Sequence, residues 1–241
     1  MKTLLINGPV VNDADAWFYD WFGEPYVSPK NVRDFLGEAE GEDIALSINS
    51  GGGSVFAGSE IYTMLKEYPG RVEVVVSGLC ASIATVIMLA GDTIKASPIS
   101  QIMIHNASMN AQGDYRDLEH ASVVIGGVSQ TLINLYATRT GLDEETIKQY
   151  VDDETWFSAD KALELGFIDE VLFSDTIPLV ASAYRSEEMI AKFKEVLDAQ
   201  NKPSADLEVI NKRFADIENK LAELERKDEP VPTSPFSQFV K

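Results

Sequence analysis

The stretch Ser77-Gly-Leu-Cys-Ala-Ser-Ile-Ala-Thr-Val-Ile-Met-Leu-Ala90 places one hydroxyl, that of Ser82, among small residues at the mouth of an otherwise apolar helix. Backbone N–H groups are unpaired at a helix N-terminus and favour developing negative charge, so Ser82 reads as a nucleophile. Two further stretches supply what a serine needs in order to react. Ile48-Asn-Ser-Gly-Gly-Gly-Ser-Val55 is a glycine-rich turn whose bare backbone can lend N–H donors to an oxyanion. Gln101-Ile-Met-Ile-His105 is a short apolar run that ends in one of the chain's 2 histidines. Serine, histidine and an oxyanion loop together form an acyl-transfer set.

The elements that must position these groups follow from the local pattern. Residues 3–7 read as an opening strand closed by Gly8-Pro9, and residues 10–22, mixed aromatic and acidic, as a helix. Ser28-Pro29 is a helix start, serine as cap and proline in the first turn, with Val32, Phe35 and Leu36 of residues 29–36 facing inward. Residues 43–49 suit a buried strand that delivers the glycine loop. Residues 55–68 carry Ile61, Met64 and Leu65 at helical spacing until Pro69-Gly70 stops them. The run 71–76 is a strand closed by Ser77-Gly78, followed by the Ser82 helix and by strands at 93–96 and 101–104. This alternation predicts a mostly parallel α/β architecture.

Residues 114–140 read as one long helix with Leu118, Ala121, Ile125, Val128, Leu132 and Leu135 as an apolar stripe. Gly126-Gly127 interrupts it, at about 1 kcal/mol per glycine relative to alanine, and predicts a kink or close packing against another subunit. Gly141-Leu-Asp143 ends that helix and caps the next. Residues 155–158 lead into a short helix over 159–165, and 167–173 form a last strand. The globular unit should end near residue 179. Beyond it, residues 186–199 are amphipathic and 201–204 break the helix. Leu207, Ile210, Phe214, Ile217, Leu221 and Leu224 then recur three and four apart, the seam of a coiled coil. The proline-rich end cannot be helical and reads as a flexible tail.

Composition narrows the classes. With 241 residues and 45% hydrophobic content, the chain can hold one sizeable domain and an appendage. A net charge of -19 argues against nucleic acid or an anionic membrane as partner. The single cysteine, Cys80, permits no internal disulfide and points to a reducing, cytoplasmic setting, and Cys80 itself reads as a small buried hydrophobe. The apolar length at the N-terminus is too short for a signal peptide, and no segment has the length of a membrane span.

Several motifs then fall in a known order. Asn49-Ser-Gly-Gly-Gly-Ser-Val-Phe-Ala-Gly58, Gly78-Leu-Cys-Ala-Ser-Ile-Ala84, Met103-Ile-His105, Asp153-Glu-Thr-Trp-Phe-Ser-Ala159 and Leu165-Gly-Phe-Ile-Asp169 resemble the Clp peptidase family. More narrowly, they resemble the Clp-related head maturation proteases of tailed phages. The resemblance covers roughly the first three quarters of the chain. It implies an α/β fold, a spiral of β-β-α units with a long handle helix. A protease domain would occupy 1–180, an amphipathic helix and linker 181–204, a coiled-coil helix 205–228 and a flexible tail 229–241.

By the same resemblance, Ser82 is the nucleophile and His105 the general base. The family's aspartate falls on Glu154, a departure from the pattern, with Asp153 or Asp152 as substitutes. The oxyanion donors are the backbone N–H groups of Gly53 and Ile83. A family proline is replaced by Gly51. Ser54, Val55 and Ala107, Ser108 and Met109 would hold an extended peptide. The resemblance implies no metal and no cofactor. It further implies polypeptide substrates, capsid or scaffold proteins in the phage case, and a homo-oligomeric ring in the host cytoplasm or the assembling prohead. The chain starts almost at the first strand, so the segment that meets an ATPase ring is expected to be missing.

Rival readings have their own residues. Lys95 would serve a serine–lysine dyad, and His120 lies among acidic residues on a solvated face of the long helix. The glycine loop lacks the lysine-serine ending of a phosphate loop. The coiled coil would serve a scaffolding protein with a silent site, and an ATPase-linked peptidase subunit is the other enzymatic alternative.

Overall fold

Alternating burial writes the sheet into the sequence. The structure, a computed structural model, describes residues 1–173. In it, β1 (Lys2–Asn7), β2 (Ile44–Ser50), β3 (Val72–Ala81) and β4 (Thr93–Ala96) run parallel in that spatial order. Their registers line up Leu4, Leu46, Val74 and Ile94 in one row and Ile6, Ile48, Val76 and Ala96 in the next, all buried. A one-residue slip of any strand would turn a whole row outward, which fixes the register.

The helices are α1 (Ala16–Phe22), α2 (Pro29–Ala39), α3 (Val55–Glu67), α4 (Ile83–Met88), α5 (Tyr115–Thr140), α6 (Glu144–Asp152) and α7 (Ala159–Glu164). Side-chain caps start most of them. Ser28 and Asn31 form a reciprocal capping box for α2, and Asp114 and Asp117 do so for α5. Ser54, Asp143 and Ser158 cap α3, α6 and α7. Three further strands complete the sheet. β5 (Gln101–Ile104) pairs parallel with the end of β3 and antiparallel with β6 (Thr155–Ser158), while β7 (Glu170–Val171) pairs with β4.

Three expectations change in detail. The aromatic stretch is not helical from residue 10, because Val10 bridges to both Val27 and Gly53, so α1 begins only at Ala16. β3 does not close at Ser77-Gly78 but runs to Ala81. Gly78 lies tight against the Asn49 side chain, whose Oδ1 accepts the Leu79 N–H, and β5 then takes over as partner. The last strand shrinks to two residues, because Phe167 N–H turns back to the Ala162 carbonyl in a helix-end motif. α5 is the one long helix expected and runs unbroken through Gly126 and Gly127.

α5 divides into two halves. Its buried residues are Ser129, Leu132, Ile133 and Tyr136, all in the second half. The first half presents Leu118, Val123 and Val124 to solvent. The expectations for 181–204, 205–228 and 229–241 lie outside the described residues.

Candidate active site

Ser82 stands where β3 passes into α4, the six-residue helix whose every residue is buried. Its backbone has φ 56° and ψ −132°, a conformation that L side chains adopt at a cost of about 1–3 kcal/mol. Among the described residues four non-glycine positions have positive φ, and two of them, Ser82 and Glu154, belong to the predicted site. The Ser82 N–H donates to the Met103 carbonyl, and its own carbonyl accepts from the Thr85 N–H and hydroxyl. The sharp turn is thereby pinned from both sides, and the side chain projects toward His105. The distance from His105 Nε2 to Ser82 Oγ is 2.8 Å.

Glycines let the loop approach this turn. A Cβ on Gly52 would lie 2.7 Å from both the Ala81 carbonyl oxygen and Ser82 Cβ. One on Gly53, at φ +147°, would lie 2.1 Å from the Val10 carbonyl oxygen. The loop is held by Val10 N–H to the Gly52 carbonyl and by Ser54 N–H to the Val10 carbonyl. The N–H groups of Gly53 and Ile83 have no acceptor among the described residues, and unpaired N–H groups of this kind can hold an oxyanion.

The acidic candidates lie in the turn that joins α6 to β6. β6 runs antiparallel to β5 with Ile104 opposite Thr155, which brings this turn to the end of β5 from which His105 follows. Glu154 stands in the turn with φ 48°, its N–H on the Val151 carbonyl, and among the described residues no carboxylate is hydrogen-bonded to His105. Asp152 is occupied elsewhere, accepting from Asn106 Nδ2 at 2.8 Å and pairing with Lys148. Lys148 first, and then Asn106, hold its carboxyl below the usual range. Lys95 is paired with Glu73 and Glu170 on neighbouring strands. It sits opposite Val75, seven residues before Ser82, or about 20 Å along an extended strand, which removes the serine–lysine dyad.

A cavity of about 250 Å³ opens beside Ser82 and His105. Of the peptide-binding residues expected from sequence, Val55, Ala107 and Ser108 line it, as do Gly53 and Ile83. Ser54 does not. It caps α3 and donates to Asn12 Oδ1, facing a neighbouring cavity instead. Met109 is exposed and lines neither cavity. The Ala107 N–H is taken by Ser129 Oγ of α5, while the backbone groups of Ser108 and Met109 have no partner among the described residues.

Sequence reasoning missed the cavity's floor, formed by Leu132, Met103 and Tyr136. Tyr136 is buried, its hydroxyl 2.7 Å from Thr85 Oγ1, and burial pushes its pKa well up. The only sequence signal for it was its place on the inner stripe of α5. Cys80 is buried against Met88 with its thiol pushed far up by desolvation, so it is chemically inert here.

Fold and site together define a class: an α/β protein with a serine and a histidine in contact at a strand-to-helix turn. Residues 35–175 match the family model described as Clp protease, and the chain belongs to that family. It is 37% identical over 134 residues to the ATP-dependent Clp protease proteolytic subunit of Porphyromonas gingivalis, covering 55% of this chain and 60% of the relative. That is less than two thirds of the relative's length. With proteolytic subunit 1 of Chlamydia abortus the identity is 33% over 165 residues, 64% of this chain and 85% of the relative. Among solved structures, a ClpP1 mutant from Listeria monocytogenes superposes with a TM-score of 0.60 at 26% identity, over 71% of this chain and 91% of the other. No group of three or more metal-ligating side chains occurs among the described residues, and no helix among them is long and apolar enough to cross a membrane.

Proposed function

We propose that the chain is a serine endopeptidase, a reading carried by the 2.8 Å contact between His105 Nε2 and Ser82 Oγ beside two unpaired N–H groups. Ser82 Oγ attacks a peptide carbonyl carbon while His105 Nε2 takes its proton. The oxygen that gains the charge is held by the Gly53 and Ile83 N–H groups, and Glu154 steadies the imidazolium. His105 then returns the proton to the leaving amine, and the acyl ester is hydrolysed by a water that His105 deprotonates in turn. Substrate lies extended between Val55 and the 107–109 segment.

The finer role we assign is that of a phage head maturation protease acting on capsid or scaffold polypeptides. It is supported by the motif pattern and by the heptad repeat that follows the protease domain in sequence. The names of the curated relatives support the alternative, a peptidase subunit working with an ATPase. The exposed apolar half of α5 supports assembly into a homo-oligomeric ring.

A serine-reactive fluorophosphonate tests the chemistry. Labelling should map to Ser82 by peptide mass spectrometry and vanish in Ser82→Ala and His105→Ala. An unlabelled wild-type protein with a stable oligomer would instead favour a silent scaffold.

A further inference from the structure

The carbonyl of the nucleophile itself is bonded more heavily than a helix start requires. Ser82 C=O accepts the Thr85 N–H at 2.9 Å, as any residue in the first turn could supply, and also the Thr85 hydroxyl at 2.6 Å. Threonine hydroxyls often bond back to a carbonyl of the preceding turn. Here the chain of bonds continues, because the Tyr136 hydroxyl of α5 lies 2.7 Å from Thr85 Oγ1, 51 residues away in sequence. Both side chains are buried, and the Tyr136 ring is held edge-on to Phe167, 5.9 Å between centroids.

Proton counting fixes the direction of this chain. The Thr85 hydroxyl has one proton and gives it to the Ser82 carbonyl, so toward Tyr136 it can only accept. Tyr136 is therefore the donor. Burial pushes its pKa well up, so the phenol stays protonated at neutral pH and well above it. The order runs from Tyr136 O–H to Thr85 O–H to Ser82 C=O.

On the other side of that carbonyl is the Ile83 N–H. The two groups belong to one planar trans peptide and point in opposite directions. A carbonyl tied toward Thr85 and α5 turns the N–H the other way, and the Ile83 nitrogen lies against the glycine loop, 3.1 Å from where a Cβ on Gly52 would stand. Hydrogen bonds in series polarise one another, so a carbonyl that accepts two donors makes the N–H of its peptide a stronger donor. We infer that Tyr136 and Thr85 are positioning residues for the oxyanion, a relay that orients and polarises the Ser82–Ile83 peptide so that the Ile83 N–H meets the charge formed on the substrate oxygen. The inference rests on the peptidase reading above and adds two residues that act through the backbone of the nucleophile.

The test uses the full chain as wild type, Tyr136→Phe, Thr85→Val, the two combined, and Thr85→Ser. Each is titrated with a fluorophosphonate, which separates the maximal labelling rate at Ser82, kinact, from the half-saturating concentration, KI. The phosphonyl oxygen stands where the oxyanion would. Loss of a whole oxyanion donor costs about 10²–10³ in rate, so a weakened one should lower kinact roughly tenfold in Tyr136→Phe and at least as much in Thr85→Val, with KI unchanged. Groups in series are not additive, so the double variant should fall no further than Thr85→Val. Thr85→Ser keeps the hydroxyl and should label like wild type. Full-rate labelling of Tyr136→Phe overturns the inference, and so do losses that multiply in the double variant, which would make the two hydroxyls independent. Tyr136→Phe keeps the ring against Phe167 and should fold, with native mass and melting temperature recorded alongside.

If the wild type fails to label, the peptidase reading falls by itself, and the Ile83 amide still decides the relay. Serine labelled with 13C at its carbonyl and isoleucine labelled with 15N together pick out the Ser-Ile peptides of the chain, Ser47-Ile48 and Ser82-Ile83. A carbonyl that loses a donor polarises its amide less, so the Ile83 15N signal should move upfield in Tyr136→Phe and further in Thr85→Val, while that of Ile48 stays in place. An Ile83 signal unmoved in both variants rejects the relay.

Discussion

At the scale of single residues the site is a problem of room. Ser82 turns sharply only because Gly52 has no side chain, and the 2.7 Å distance from a Cβ there to Ser82 Cβ leaves nowhere for one to go. Gly52→Ala should therefore lower fluorophosphonate labelling at least tenfold, with a far smaller effect on the melting temperature; equal labelling would mean that the loop yields freely. Glu154 poses the second test. It stands in the turn just before Thr155, which pairs with Ile104, the neighbour of His105; if it is the orienting carboxylate, Glu154→Gln should cut kcat on a peptide substrate by about 10²–10⁴, with Asp152→Asn and Asp153→Asn close to wild type. The reverse pattern would move the role to a neighbour. The meeting of Ser82 and His105 was legible in sequence because one stands at the mouth of an apolar helix and the other closes an apolar run. Tyr136 was not, because a buried tyrosine on a helix stripe looks like core until the opposing Thr85 hydroxyl is seen.

At the scale of elements, caps and pairings decide where each segment stops. Most helices were legible from Ser28-Pro29, Pro69-Gly70 and Gly141, whose signals are local. β3 was misjudged at Ser77-Gly78 because the glycine there serves a long-range contact with Asn49, and β6 was read only as a lead-in because its partner β5 is fifty residues away in sequence. α6 carries the chain from α5 to Glu154, and its start depends on Asp143. Hydrogen bonds from the Thr146 backbone N–H, then from its hydroxyl, hold the Asp143 carboxyl below its ordinary value. A depressed folded pKa contributes stability above the unfolded value, about 3.9, and loses it as pH falls through the lower folded value. Asparagine can cap without the charge. Wild type should thus melt above Asp143→Asn at pH 7, and the gap should close as pH falls below the ordinary carboxylate range. A gap that stays constant with pH would show that the charge is irrelevant.

At the scale of the whole molecule the described residues make one compact unit with an unfinished surface. The second half of α5 ties that unit together: Ser129 holds Ala107, Tyr136 meets Thr85 of α4, and Leu132 floors the cavity. The first half touches no core. Leu118 and Val124 are 48% and 43% exposed on it, and nothing among the described residues approaches the positions where side chains at Gly126 and Gly127 would stand. Sequence reasoning found the stripe but not the division, since periodicity alone cannot say which turns of a helix have a partner. Two glycines in an unbroken helix are costly unless a close neighbour needs the space, and in the ring assembly proposed above a second copy of the chain would supply one. Leu118→Glu with Val124→Glu should therefore drop native mass to a smaller species while leaving the melting temperature of the protease unit nearly unchanged, because neither side chain is in its core. If assembly also orders the 107–109 segment through Ser129, the same variant should label more slowly at Ser82. Unchanged mass would place the subunit contacts on another face, and reduced mass with full labelling would show that each protomer's site is complete alone.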